Sequence, residues 1–440
     1  MKPNKDSVHL VDAVPNEIWR LCWDLTRPND LKSLSRVCQR FRPICQSLLF
    51  KEFTFSISRD PTFTFSRSNV TIIKRKIEAL QGVISNQLLV ESVRTLRLST
   101  IYLENSINGA THLFVKTDSG ISPVVLFLVA MVFYLPRFTK TKVLILDWPK
   151  RLSGSFLDRV LKVAAGCLPL IEALTVNMKS FPSRSFDEFA SLKVLAMGND
   201  RPYLLLEDPQ PDGKISIPAS VEYLFAQSMD VAPNILLGLV ENNKHQNLIS
   251  FELHLGRSSF HLFLQCLPFC PQMKCIAIHE SLGTACQTLL QLPETSIPKL
   301  ETFIGPLELA LVIVPNRPIL CLGIIDQPWK TSTDDSVILR DMSQLARSKG
   351  TIKLSFILRI DQHGTLSIIT KLFPSLSLLN IQFHDDNDSP GYEPDGDVDV
   401  YIQGDRLEAK KPWTDADSLE NYPAAEMSSG YKVFGVIDQI

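Results

Sequence analysis

This sequence is short of most features that would assign it to a simple functional class. Its 45 basic and 47 acidic side chains leave a formal net charge of −2, so no strongly basic surface points to nucleic acid. Lys74-Arg75-Lys76 and Lys410-Lys411 are short basic clusters that read as solvated surface. Nine cysteines stand without paired spacing, which argues against a disulfide framework and for reduced thiols in a cytoplasmic or nuclear protein. No apolar run reaches the roughly twenty residues of a membrane-spanning helix. The longest candidate, bounded by Pro123 and Pro136, is expected to be a helix buried on most sides rather than a membrane anchor. The opening MKPNKDSVHL is polar, so no signal peptide is expected. A phosphate-binding Gly-rich loop with lysine, a Gly-x-Ser-x-Gly elbow and a His-Glu-x-x-His helix are all missing. No catalytic residue is therefore assigned, and no cofactor is expected.

Metal binding meets the same difficulty. His254, His261, Cys266, Cys270, Cys275 and His279 crowd one stretch, yet their spacings do not reproduce the close ligand pairs of a structural zinc site. Cys266 and Cys275 fit better as small buried residues. Asp395-Gly396-Asp397-Val398-Asp399 opens like a calcium loop, but Val400 and Arg406 stand where glycine and a bidentate glutamate are needed. No metal is expected.

What the chain does contain is a recurring strand pattern, apolar-x-x-apolar-x-apolar. It runs through Val93, Leu96, Leu98; Ile171, Leu174, Val176; Leu192, Leu195, Met197; and Val221, Leu224, Ala226. It continues through Leu248, Phe251, Leu253; Met273, Ile276, Ile278; Ile319, Leu322, Ile324; and Leu376, Leu379, Ile381. Weaker copies sit at Leu144-Ile145-Leu146, Leu300-Phe303 and Phe356-Ile357-Leu358. After a longer first gap the copies start roughly 20 to 35 residues apart, the scale of solenoid repeats. Helix-like segments separate them, several ending near a proline, as at Phe156 to Pro169, Phe260 to Pro268 and Ile368 to Pro374. An ordinary α/β domain with a parallel sheet is the competing reading. Because strand side chains alternate, the residues between the apolar positions share the opposite face. That places Arg97, Ser99, Thr175, Asn177, Gln227, Glu252, His254, His279, Asn380 and Gln382 on an exposed inner surface, with Phe225 and Ile357 as apolar contacts. They are the candidates for binding a target protein.

Residues 51–92 read as a linking region, with strands at Phe53-Thr54-Phe55 and Phe63-Thr64-Phe65 and a helix over 72–84. Residues 104–120 read as a surface loop. Beyond about residue 384 the pattern gives way to an acidic stretch running to Asp399, with Val398–Ile402 and 432–437 as possible capping strands.

The N-terminal stretch from Val14 to Phe53 holds three short amphipathic helices. Ile18, Leu21, Cys22 and Leu25 fall at i, i+3, i+4, i+7 on one face. Thr26-Arg27-Pro28-Asn29 interrupts the run. Leu31, Leu34, Val37, Cys38 and Phe41 form a second stripe at helical spacing, and Pro43 marks a third start before Ile44, Leu48 and Leu49. So small a unit cannot bury all this apolar surface within itself, so a partner is expected. Trp19 and Trp23, at i, i+4, mark a second face against a partner or against the repeats.

At Val14-Pro15-Asn16-Glu17-Ile18, Asp30-Leu31, Leu34-Ser35, Val37-Cys38, Phe41-Arg42 and Leu49-Phe50, the chain resembles the F-box motif in order and spacing. Val14 departs from the commoner leucine. The helix, proline and strand recurrence resembles a divergent leucine-rich repeat whose usual asparagine after the strand is mostly missing. The resemblance implies an α/β architecture: an F-box at 11–55, a linking region at 56–92, a leucine-rich-repeat-like parallel-sheet solenoid at 93–384, and an acidic loop with a C-terminal cap at 385–440. It implies a non-catalytic substrate receptor of a Skp/cullin/F-box ubiquitin ligase, joined to cullin through a Skp-type adaptor and holding an unidentified protein target. Val14, Pro15, Ile18, Leu21, Leu31, Leu34, Val37, Cys38 and Phe41 would then contact the adaptor or support that contact. Two alternatives stay open: an F-box scaffold acting outside the ligase, and an α/β-domain enzyme.

Overall fold

The computed structural model describes residues 14–56, 67–99, 123–147, 154–177, 184–198, 213–242, 245–279, 292–325, 335–348, 350–359, 366–384, 398–403 and 406–410. The chain divides into two compact units, Met1–Asp200 and Arg201–Ile440, and the division falls inside the stretch covered by the strand pattern. Both are α/β.

In the first unit three helices come first: α1 (Asn16–Trp23), α2 (Pro28–Leu34) and α3 (Phe41–Leu49). Five parallel strands follow in chain order, each hydrogen-bonded to the next. They are β1 (Glu52–Ser56), β2 (Thr95–Ser99), β3 (Val143–Asp147), β4 (Ala173–Asn177) and β5 (Val194–Gly198). Helices α4 (Arg67–Ile84) and α5 (Gln87–Ser92) connect β1 to β2, α6 (Pro123–Tyr134) precedes β3, and α7 (Gly154–Cys167) joins β3 to β4. The second unit repeats this plan with seven parallel strands: β6 (Tyr223–Ala226), β7 (Ser250–His254), β8 (Cys275–His279), β9 (Thr302–Gly305), β10 (Cys321–Ile324), β11 (Lys353–Arg359) and β12 (Leu378–His384). Its helices are α8 (Ala232–Asn242), α9 (Phe260–Cys266), α10 (Leu307–Ile313), α11 (Asp335–Leu345) and α12 (Leu366–Leu372). An antiparallel hairpin, β13 (Val398–Gln403) and β14 (Arg406–Lys410), pairs with β12. Residues 432–437, residues 104–120, Phe63-Thr64-Phe65 and nearly all of the acidic stretch lie outside the described residues.

One backbone arrangement sets the register within each unit. The carbonyl just before a strand accepts two N–H groups from the next coil. Lys51 O takes Arg94 N at 2.8 Å and Thr95 N at 3.0 Å, and Arg94 O takes Lys142 and Val143 at the same two distances. Lys142 O and Glu172 O continue the ladder onto the coils of β4 and β5. In the second unit Glu222, Ile249, Lys274, Glu301, Leu320 and Ile352 do the same. Satisfying paired donors this way leaves no freedom for a one-residue slip, which would turn every apolar side chain outward.

The recurring apolar positions then fill the core. At every complete copy of the pattern the three positions are buried, apart from Ile381, whose side chain is outside the described set. The structure adds a fourth position that the pattern did not include. The N–H of the first apolar residue bonds to a carbonyl three residues earlier, as in Val93 to Val90, Ile171 to Leu168, Leu192 to Phe189 and Met273 to Cys270. Those earlier residues are buried too. In the β3 coil the first position is Thr141, fully buried, with a hydroxyl that has no hydrogen-bond partner among the described residues.

Two expectations need correcting. Among the described side chains of helix α6, Val129 and Phe133 are exposed on one face while Met131 is buried on another, so that part of the helix is open along one side. The second N-terminal stripe is not one helix either. Helix α2 ends at Leu34, residues 35–37 turn, and α3 starts at Phe41, two residues ahead of Pro43.

Two substitutions test this packing by thermal unfolding. Thr141→Val removes an unpartnered buried hydroxyl at constant volume and should stabilise the protein by about 1 kcal/mol. Gly238 in α8 lies so close to the Ile215 backbone that an added Cβ would meet its carbonyl oxygen at 2.0 Å. Gly238→Ala should therefore cost about 1–3 kcal/mol, despite the helix preference for alanine.

Candidate functional site

The three N-terminal helices form their own small core from Trp23, Leu31, Phe41, Ile44 and Cys45, with Trp19, Leu34, Cys38, Leu48 and Leu49 packed against it. Aromatic rings carry much of it. Trp19 and Trp23 lie 5.1 Å apart, and Phe41 meets them edge-on at 5.2 and 4.7 Å. Edge contacts suit the ring quadrupoles and add to the area buried. Arg40 ties the entry to the turn ahead of α3, donating from Nη2 to the Val14 carbonyl at 2.5 Å and from Nε to Asn16 Oδ1 at 3.0 Å. Neither the tryptophans' inward role nor Arg40 was read from the sequence. The tryptophan pair packs into the cluster's own interior, with Trp19 only partly buried.

The stripe of Ile18, Leu21, Cys22 and Leu25 is turned outward. Ile18 is 46% exposed, Leu21 73%, Leu25 96% and Val37 67%. Pro15 and Cys22 are exposed beside them, and Val14 is half-buried. Of the nine candidate adaptor residues, Leu31 and Phe41 are wholly internal, and Leu34 and Cys38 are partly so. The geometry thus separates four residues that hold the cluster together from five, Val14, Pro15, Ile18, Leu21 and Val37, that are at least partly exposed. Covering one such aliphatic side chain completely is worth roughly 1.5–3 kcal/mol. A cleft of about 340 Å³ is lined by Arg20, Ser47, Lys51, Leu88, Glu91, Ser92 and Arg94.

The strand-face candidates fall into separate groups. In the first unit, register places Arg97 beside Ile145 and then Thr175, and Asp147 beside Asn177. Arg97 Nε donates to Asp147 Oδ2 at 2.7 Å, and Asn177 Nδ2 donates to Asp147 Oδ1 at 2.7 Å. Asp147 was not among the candidates, although it continues the alternation after Leu144-Ile145-Leu146.

In the second unit, His254 and His279 are register partners with rings 5.1 Å apart, and His279 Nε2 lies 3.5 Å from Glu252 Oε1. Burial, reinforced by the positive charge His279 can carry, lowers the His254 pKa to about 4, with Glu252 opposing the shift. Gln227 is half-buried. Asn380 sits four strands from β8, and its Oδ1 is buried without a partner among the described residues. The side chain of Gln382 lies outside the described set, as does that of Ile357. The expected open surface is therefore corrected: the described candidates on this face are only partly exposed, and Ser99 and Phe225 are buried.

The sulfur-rich stretch disperses into packing. Cys266 Sγ donates to the Leu236 and Leu262 carbonyls and Cys270 Sγ to the Cys266 carbonyl. Burial raises both thiols, Cys270 to about 12. Among the described residues no group of three or more His, Cys, Asp or Glu side chains is disposed to hold a metal ion, and no helix is long and apolar enough to cross a membrane.

No family model matches this chain, and no curated protein matches it. Among solved structures, a Bacteroides fragilis protein, a Northeast Structural Genomics Consortium target, is similar at 13% identity and a TM-score of 0.27. That alignment covers 72% of this chain and 73% of that one. A TM-score so low identifies neither a fold family nor a function.

The buried imidazole has a consequence for stability. A folded-state pKa of about 4 lies below the ordinary histidine value of 6.5, so the unfolded chain binds the extra proton first. Stability from His254 is complete above about pH 6.5 and is lost as pH falls toward 4, on the order of 3 kcal/mol at most. The urea midpoint of the wild type should fall across that window, and His254→Asn should flatten the slope. Parallel slopes would refute the assignment.

Proposed function

We propose that this protein is the substrate-recognition subunit of a Skp/cullin/F-box type of ubiquitin ligase, acting in the cytoplasm or nucleus. The N-terminal helices would dock on a Skp-type adaptor that recruits cullin, and the strand-bearing units would hold a target protein. One observation carries the reading: the helices keep an aromatic interior of their own while Ile18, Leu21, Leu25 and Val37 remain outside it. An unsupported apolar patch beside a well-packed core is what a docking module needs, because the module folds first and the partner supplies the remaining burial. The agreement of residues 14–50 with the F-box motif in order and spacing names the partner.

The second half of the reading rests on the stacked coils, which resemble a leucine-rich repeat in their regular strand, turn and helix plan. Parallel strands present polar side chains in register, and mixed polar and apolar columns suit a protein ligand. The chemistry of ubiquitin transfer would belong to other subunits. This chain would contribute proximity, raising the local concentration of a target lysine.

Pro15→Ala combined with Ile18→Ala should reduce adaptor recovery at least tenfold in co-purification. Both residues are exposed, so the thermal midpoint should hardly move. Trp23→Ala should instead disrupt the helical cluster and lower both. Full recovery of the adaptor by the double variant would contradict the assignment.

A further inference from the structure

We infer that the polar face of β1–β4 forms an oxyanion site, with the Arg97 guanidinium as its ligand, for a carboxylate or phosphate group borne by the bound protein. The inference rests on the proposed function only in naming a protein as the carrier. The site itself stands on its own geometry.

Asp147 and Arg97 are an unequal pair. The carboxylate side chain is 0% exposed, whereas the arginine side chain is 37% exposed. Here Nε is the only guanidinium donor engaged, at 2.7 Å from Asp147 Oδ2. The two terminal nitrogens make no hydrogen bond among the described residues. Asn177 holds the other carboxylate oxygen at 2.7 Å, so the carboxylate cannot swing away. The guanidinium is thus fixed along one edge and presents the other, whose planar fork matches two oxygens of a carboxylate or phosphate. Pinning the side chain beforehand removes much of the entropy that an anion would otherwise have to order.

Neighbouring groups add to this. Thr54, exposed on β1, is the register partner of Arg97 and places a hydroxyl next to it. Two residues further along the same strand, the Ser56 carbonyl accepts a hydrogen bond from Lys76 Nζ, which reaches over from α4. No carboxylate pairs with Lys76 among the described residues, and burial lowers its pKa, so this ammonium lacks a counterion.

The test uses the full chain with two probes, inorganic phosphate and glutarate, against chloride at matched ionic strength. Phosphate also stabilises folded proteins by exclusion from their surface, so the readout is the difference between wild type and variant. The wild-type melting temperature should rise about 2 °C further than that of Arg97→Gln in at least one probe. The exposed-helix control Arg159→Gln should behave as wild type. If Arg97→Gln does not fold, Arg97→Lys keeps the charge beside Asp147 but removes the fork, and it should lose the same increment. Phosphorus NMR gives a direct check, since wild-type protein should broaden the phosphate line and the Arg97 variant should not. A response to phosphate alone assigns a phosphorylated ligand, and one to glutarate alone assigns an acidic side chain. Equal shifts in wild type and variant for both probes, with no line broadening, overturn the site. Adaptor recovery by Arg97→Gln is a separate arm: its loss would count against the docking reading, not against the anion site.

Discussion

Each coil of this protein is anchored by a single carbonyl that accepts two N–H groups from the coil after it. Lys51, Arg94, Lys142 and Glu172 supply these carbonyls in the first unit, and Glu222 through Ile352 in the second. Everything else in the strand-bearing units follows from that anchoring. It fixes register, register stacks equivalent positions into columns, and the pleat sends alternate columns to opposite faces. On one face the columns are Leu, Ile, Val, Phe and Met, packed beneath helices. On the other they bring together residues far apart in sequence, such as Arg97, Asp147 and Asn177, or Glu252, His254 and His279.

The N-terminal helices follow a different logic. They have too few residues to bury every apolar side chain, and aromatic packing decides which ones go inside. Trp19, Trp23 and Phe41 claim the interior, which leaves the aliphatic residues of α1 and the turn at Val37 outside. The outward patch is therefore a by-product of a complete core rather than a sign of poor packing. That distinction underlies the proposal of a docking module.

The strands were largely legible because their signal is redundant: three apolar positions recur at fixed spacing, and all the described ones are buried. Legibility failed where one polar residue broke the template. Thr141 occupies the first position of the β3 coil, so that copy looked weak and Asp147 at its end went unrecognised. Helical periodicity failed differently on α1, where apolar residues occupy two faces. Spacing places Ile18, Leu21, Cys22 and Leu25 on one face and the tryptophans on another, but it cannot say which turns inward. Shape and ring contacts settle that, and they exist only in three dimensions. The openness of the strand face was overestimated for a related reason. Alternation tells which side a residue lies on, but not how closely its neighbours crowd it.

The proposed docking role requires that another polypeptide cover the exposed apolar residues of α1 and the turn at Val37. Hydrogen exchange on the full chain, alone and with a Skp-type adaptor, tests it most directly. The account predicts slowed exchange confined to residues 16–25 and 34–38, with the strands of both units unchanged. Unaltered exchange in those segments, or protection that appears only on the strands, would contradict it.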